Sequence, residues 1–241
     1  MLLAAKLALG PVLMRQARVV RRTALRLPEA PGAREGVAGK GATIVRLLVV
    51  GDSAAAGVGL EHQSHALAQP LAAMLAERLG GAVSWRLLAR TGVNTAQARE
   101  LVAQAADIPA DVAVTALGVN DVSSQVSAGA FVTHTERLWS DLRERTGLRW
   151  GVVCGLPPMG LLTAIPQPLR WYLGRCAAAL DGALAEWAQR QQLGYCGLRW
   201  TDDPGLLASD GFHPGAALYP QWAGRLADLI MGSQSRWATP T

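Results

Sequence analysis

Ser53 closes the run Gly51-Asp52-Ser53, which directly follows an apolar stretch and precedes the small residues Ala54 to Gly59. A hydroxyl on such a turn is exposed, and the serine's own N–H is available at the start of the next helical turn, as a nucleophile requires. The same tripeptide also makes an ordinary turn with serine as N-cap, so alone it decides nothing. Near the other end of the chain, Asp210-Gly211-Phe212-His213 sets a carboxylate and an imidazole three residues apart. A single bend lets Asp210 accept from one ring nitrogen while the other faces outward as a base. A lone histidine before a proline is otherwise a surface or capping residue. Between these clusters lie Gly92, in Ala89-Arg90-Thr91-Gly92-Val93-Asn94, and Asn120 with Asp121, in Gly118-Val119-Asn120-Asp121. A glycine lets a backbone N–H approach a ligand, and an asparagine amide can donate to an oxyanion, although each also fits a plain turn or an Asx-turn. Acyl transfer needs a nucleophile, a base, an orienting carboxylate and two or three donors for a developing oxyanion. The four clusters together supply every one.

These residues need a scaffold that brings them to one place. Short β-like runs at 43–50, 82–89, 111–118, 149–156 and 194–200 alternate with amphipathic stretches around 65–79, 95–106, 128–146, 172–192 and 214–232. Strands alternating with helices predict a parallel five-stranded sheet covered on both faces, a doubly wound three-layer α/β/α domain. The runs LLVV and VAVTAL lack clean alternation, as strands buried on both faces should. Ligands in such sheets bind outside the carboxyl ends of the strands, and there the four clusters fall. The stretch 157–174, with four prolines, exceeds an ordinary connection; it either walls a pocket or packs on itself as a rigid surface loop.

The ordered blocks GDS (51–53), Gly92, GVND (118–121) and DGFH (210–213) resemble the SGNH/GDSL hydrolase family, over roughly Arg46 to Gly232. The resemblance implies a flavodoxin-like strand order, 2-1-3-4-5, and a serine hydrolase acting on carboxylic esters without a cofactor or metal. It makes Ser53 the nucleophile, His213 the general base and later acid, and Asp210 the residue orienting His213. The Ser53 N–H, the Gly92 N–H and the Asn120 amide would form the oxyanion hole, with Asp52 and Asp121 bracing their loops. Residue 54 is Ala where the family's name has Leu. Expected substrates are small-molecule esters with short to medium acyl chains, or lysophospholipid-like esters. An acyl-thioesterase or a carbohydrate O-acetylesterase would use the same residues, and a catalytically silent, membrane-associated binding protein is the rival from another class.

Composition narrows the classes further. Half of the 241 residues are apolar and 17% are charged, so a large core forms and wholesale disorder is excluded. Thirteen scattered aromatics make no base-stacking platform, which argues against nucleic acid as a partner. No Cys or His cluster has metal-ligand spacing, no phosphate-cradling glycine loop occurs, and the G-x-S-x-G nucleophile elbow is missing. Of the net charge of +5, residues 1–46 contribute +7, with nine basic and two acidic side chains, so the remainder is weakly acidic. We therefore divide the chain into a basic N-terminal extension and linker, residues 1–45, and a hydrolase domain, residues 46–241. The extension begins MLLAAKLALGPVLM and continues RQARVVRR. Its charges follow the apolar run, unlike those of a secretory signal, and the run is too short to span a bilayer. Residues 1–26 could lie on an anionic membrane surface, or Leu2, Leu3, Leu7 and Leu13 could pack on the body. Residues 28–42, dense in Pro and Gly, predict an irregular linker or a strand of coil laid over the surface. Cys154, Cys176 and Cys196 predict buried thiols rather than a disulfide framework, which fits a cytoplasmic protein, membrane-associated through its N-terminus, while leaving a secreted or periplasmic location and the oligomeric state open.

Overall fold

A computed structural model describes residues 2–198 and 203–238. The strands are β1 (Glu35–Ala38), β2 (Thr43–Gly51), β3 (Ala82–Ala89), β4 (Val112–Ala116), β5 (Trp150–Cys154) and β6 (Gly194–Cys196). The helices are α1 (Leu2–Thr23), α2 (Ala68–Leu79), α3 (Thr95–Gln104), α4 (Val119–Ser123), α5 (Ala128–Thr146), α6 (Leu169–Arg190), α7 (Leu218–Gly232) and α8 (Gln234–Trp237). Five helices fall within a few residues of their predicted positions, because their apolar spacing matches the face they bury. The last part of the fifth predicted strand, residues 199 and 200, lies outside the described residues.

The sheet order is β1-β3-β2-β4-β5-β6. Over the five predicted strands this is 2-1-3-4-5, all parallel. The sixth strand corrects the expectation of five: Glu35–Ala38 pairs antiparallel with β3 at the edge of the sheet, inside the stretch read as irregular linker. Glu-Gly-Val-Ala carries no strand signal of its own, and the free backbone groups on the outer edge of β3 select it.

Within β2, Val45, Leu47 and Val49 face one way and Leu48 and Val50 the other. The first set packs with α2 and α7, the second with α3, α5 and α6, so β2, β4 and β5 are buried on both faces. Helix α1 lies on α6. Leu13 is buried there, Gln16 Nε2 donates to Gln167 O (2.6 Å), and Leu169 N–H donates to Gln16 Oε1 (3.1 Å). Helix α1 runs through Gly10-Pro11, and the packing of Leu9, Leu13, Ala17 and Val20 offsets a proline cost of about 3 kcal/mol. Leu7, by contrast, is exposed. All three cysteines are free, with Cys154 and Cys196 opposite one another on β5 and β6.

Candidate active site

Gly51 is in register with Ala89 of β3 and with Ala116 of β4, so three loops leave the sheet at one level. A Cβ at Gly51 would lie 2.4 Å from Ala55 Cβ and 2.9 Å from Ala116 O, so only glycine permits the tight exit. Beyond it the Asp52 N–H donates to Ala116 O (3.2 Å), the Ala54 N–H to Asp52 Oδ1 (3.0 Å) and the Ala56 N–H to Asp52 O (2.9 Å). The resulting bend holds Ser53 against the interior with 8% of its surface exposed. From α7, the Tyr219 hydroxyl donates to Ala54 O (2.8 Å) and pins the same bend.

The loop between β6 and α7 delivers the other half of the site. A bridge between Leu207 and Pro214, with the Ala208 N–H donating to His213 O (2.8 Å), closes it into a tight turn. Within the turn Asp210 Oδ1 accepts from the N–H groups of Phe212 and His213, both at 3.0 Å. Asp210 Oδ2 lies 2.6 Å from His213 Nδ1, and His213 Nε2 lies 2.9 Å from Ser53 Oγ. Burial alone would raise the Asp210 carboxyl, but hydrogen bonds from the His213 ring and from the two backbone N–H groups outweigh it and hold the group below the usual carboxylate range. An ionised carboxylate only accepts, so Nδ1 carries the imidazole proton and Nε2 presents a lone pair to the Ser53 hydroxyl. The Phe212 ring packs edge-on against the imidazole at 5.1 Å, which limits its rotation.

Among the described residues, neither the Ser53 N–H nor the Gly92 N–H has an acceptor. Gly92 sits at φ +83°, a conformation glycine adopts without strain, and nothing lies within 4 Å of where its Cβ would be. Asn120 is brought beside the Ser53 bend, but its Nδ2 donates to Val93 O (2.9 Å) and to Asp52 Oδ2 (3.2 Å), so both amide protons are directed at protein acceptors. Asp121 Oδ2 accepts from the N–H and hydroxyl of Thr95 at the start of α3, at 3.0 and 2.8 Å. Burial pushes the Asp52 carboxyl up to about 7, and the charge of Asp121 adds to the rise against hydrogen bonds from the Ala54 N–H and Asn120. Burial also raises Asp121, against its bonds from Thr95.

One residue of this region is invisible from sequence. Glu29 Oε1 accepts from the Thr91 N–H and the Thr91 hydroxyl, each at 2.6 Å, and Oε2 pairs with Arg34, whose other nitrogen donates to Ala89 O (2.5 Å). Glu29 thus ties the loop that carries Gly92, although 62 residues separate it from Thr91. No spacing rule reaches across that distance. Its only sequence trace is a carboxylate in a Pro-Gly-rich segment.

A cavity of about 80 Å³ opens beside Ser53 and His213, walled by apolar side chains that include Leu117, Leu161, Leu162, Leu207 and Phe212. Pro157 and Pro158 border it as well, while Met159 and Ile165 of the same loop pack into the core. The loop is shorter than the sequence suggests, since α6 begins at Leu169 and takes its last six residues. The site therefore couples a proton relay of hydroxyl, imidazole and carboxylate to a small apolar recess and two free N–H donors.

Comparison with known proteins bears on the family and the fold. A model of the GDSL-like lipase/acylhydrolase family matches residues 49–220. A crystal structure of a putative GDSL-like lipase from Parabacteroides merdae superposes with a TM-score of 0.61 at 14% identity, covering 78% of this chain and 96% of that one. A structure of TesA gives 0.58 at 21%, covering 78% and 98%. The psychrotrophic esterase EstA from Pseudoalteromonas sp. gives 0.57 at 15%, covering 79% and 98%. Among curated proteins, none matches the chain by sequence. With the family's pattern extending over most of its length and its fold shared with these hydrolases, the chain belongs to the GDSL-like lipase/acylhydrolase family.

Proposed function

We propose that the protein is a serine esterase that cleaves carboxylic esters with short to medium acyl groups, or lysophospholipid-like esters, through an acyl-enzyme. The observation that carries this reading is the continuous relay from Ser53 Oγ to His213 Nε2 (2.9 Å) and from His213 Nδ1 to Asp210 Oδ2 (2.6 Å). His213 takes the hydroxyl proton as Ser53 Oγ attacks the ester carbonyl. The negative charge that develops on the carbonyl oxygen is received by the N–H groups of Ser53 and Gly92. Asn120 supplies a third donor by sharing the proton it directs over 3.2 Å at Asp52. Collapse of the tetrahedral adduct breaks the ester C–O bond, and the alcohol leaves with the proton held on His213. A water, deprotonated by the same imidazole, then hydrolyses the acyl-Ser53 ester and restores the enzyme.

The apolar recess beside Ser53 is the place for the acyl group. Leu117, Leu161, Leu162, Leu207 and Phe212 line it, so it takes an apolar acyl chain and leaves a charged one without a partner. An acetyl esterase and a carbohydrate acetylesterase family member from Sinorhizobium meliloti share the fold, at TM-scores of 0.56 and 0.55. A carbohydrate O-acetylesterase or a thioesterase would employ the same relay.

The test is hydrolysis of a p-nitrophenyl ester series from acetate to octanoate, together with acetylated sugars and acyl thioesters, by wild type and Ser53→Ala. Turnover should be measurable on the short to medium esters and disappear in Ser53→Ala with the circular dichroism spectrum unchanged. A fluorophosphonate probe should label the wild type at Ser53. Full activity in Ser53→Ala would refute the mechanism, and an unlabelled Ser53 with no turnover in the wild type would favour a silent binding protein.

A further inference from the structure

Helix α1 presents two faces of opposite character. One is docked: Leu9, Leu13, Ala17 and Val20 pack toward α6, and Gln16 exchanges hydrogen bonds with Gln167 and Leu169. The outward face leaves Leu7 (75%), Val12 (46%), Met14 (55%) and Val19 (50%) exposed, and Leu25 (56%) follows just beyond the helix. Among the described residues these are five of the eight exposed large apolar side chains, so the exposure is concentrated on one segment rather than scattered.

Charge is concentrated there too. Residues 1–28 hold Lys6, Arg15, Arg18, Arg21, Arg22 and Arg26 and no acidic residue. Among the described residues, none of these five arginines makes an ion pair or a side-chain hydrogen bond. Along the helix Leu7, Val12 and Met14 come first, and the arginines of 15–26 follow with Val19 and Leu25 among them. No helix among the described residues is long and apolar enough to cross a membrane.

We propose that α1 rests on an anionic lipid surface, with the Leu7–Met14 turns at the acyl boundary and Arg15, Arg18, Arg21 and Arg22 among the phosphate headgroups. An acidic protein or a nucleic acid would satisfy the arginines but leave Leu7, Val12 and Met14 in water. A bilayer accommodates both sets at once. The placement also orients the enzyme. Past α1 the chain runs to Leu27, which lies against Gly59, as Ala208 does, and Ala208 adjoins Leu207 in the cavity wall. The basic end of α1 is therefore a few residues from the mouth beside Ser53, and a surface-bound ester would enter from that side. Lipid binding itself stands apart from the catalytic reading.

The test is co-sedimentation of the full-length protein with phosphatidylcholine vesicles with and without phosphatidylglycerol, at low and high salt, alongside p-nitrophenyl acetate turnover. Wild type should bind only the anionic vesicles and be released by salt. At about fivefold per arginine, R15Q/R18Q/R21Q/R22Q should weaken partitioning by a hundredfold or more, and L7S/M14S should weaken it at least tenfold. Both variants should keep wild-type turnover of the soluble ester, which also shows that they fold. Absence of wild type from anionic vesicles, or binding indifferent to salt and to both variants, overturns the proposal. So does binding to RNA or heparin that persists in L7S/M14S while vesicle binding is absent, since that result assigns the face to a soluble polyanion.

Discussion

Replacing Asp210 with Asn isolates the electronic role of that carboxylate from its structural one. The side chain is 3% exposed and receives three hydrogen bonds, two on Oδ1 from backbone N–H groups at 3.0 Å and one on Oδ2 from His213 Nδ1 at 2.6 Å. An asparagine keeps Oδ1 for both backbone donors, so the turn should survive. Its NH₂ group, however, now faces Nδ1. A donor there requires a lone pair on Nδ1, which moves the imidazole proton to Nε2 and points it at Ser53 Oγ, 2.9 Å away. The ring can then no longer accept the hydroxyl proton. The same tautomer error in a Ser-His-Asp relay costs about 10⁴ in kcat, or about 5 kcal/mol of transition-state stabilisation. The loss of one charge-assisted bond should cost about 1–3 kcal/mol of stability, a fall in Tm of a few degrees to about ten. The assay is kcat and KM for p-nitrophenyl acetate, with thermal unfolding followed by circular dichroism and with fluorophosphonate labelling of Ser53 as an independent readout. Expected are a kcat near 10⁻⁴ of wild type, a nearly unchanged KM and labelling slowed in proportion. A folded Asp210→Asn protein within tenfold of wild-type kcat would refute the assignment.

The remaining predictions concern the neighbours of that relay. Gly92→Ala meets no atom but must hold φ at +83°, so it should cost about 1 kcal/mol, lowering Tm by about 2–4 °C, and reduce kcat tenfold or more as the N–H turns away. Glu29→Ala releases the Thr91 N–H and hydroxyl and should lower kcat about tenfold with little change in KM, whereas Glu29→Gln, which keeps an acceptor, should recover most of the rate; a loss confined to Tm would refute a positioning role. For Asp52 the folded-state value of about 7 exceeds the ordinary 3.8, so folding favours the protonated form. Its contribution to stability is full below about pH 4 and is lost as pH rises through about 7, up to about 4 kcal/mol at 1.36 kcal/mol per unit. Denaturant midpoints should therefore show wild type losing stability relative to Asp52→Asn between pH 4 and 8, and parallel pH curves would show that Asp52 stays ionised.

The order of elements and the level of the sheet at which chemistry happens were legible in the sequence, because both rest on local pattern. The apolar runs of β2, β4 and β5 mark strands with both faces covered, and Gly51, Gly92 and Gly118 mark the turns after β2, β3 and β4. Asp210 and His213 could be paired from spacing alone, since a three-residue separation is bridged within one bend. Short edge strand β1 was not legible: Glu35–Ala38 has no strand pattern, and the open side of β3 recruits it. Nor was the course of α1 through Gly10-Pro11, where local propensity argues against a helix and packing on α6 decides for one. Glu29 and Tyr219 escaped for the same reason, being joined to Thr91 and Ala54 across many intervening residues.

The sequence by itself determined which residue types are available for chemistry and that they follow strands of one parallel sheet, since side-chain chemistry and short-range periodicity are properties of neighbouring residues. Only the tertiary structure decided that Ser53 and His213 stand 2.9 Å apart, that the amide of Asn120 is directed at Asp52 and Val93, that the recess beside them holds about 80 Å³, and that α1 turns its arginines outward. Those outcomes depend on packing and hydrogen bonds between segments far apart in the chain, where a shift of an ångström makes or breaks a proton transfer.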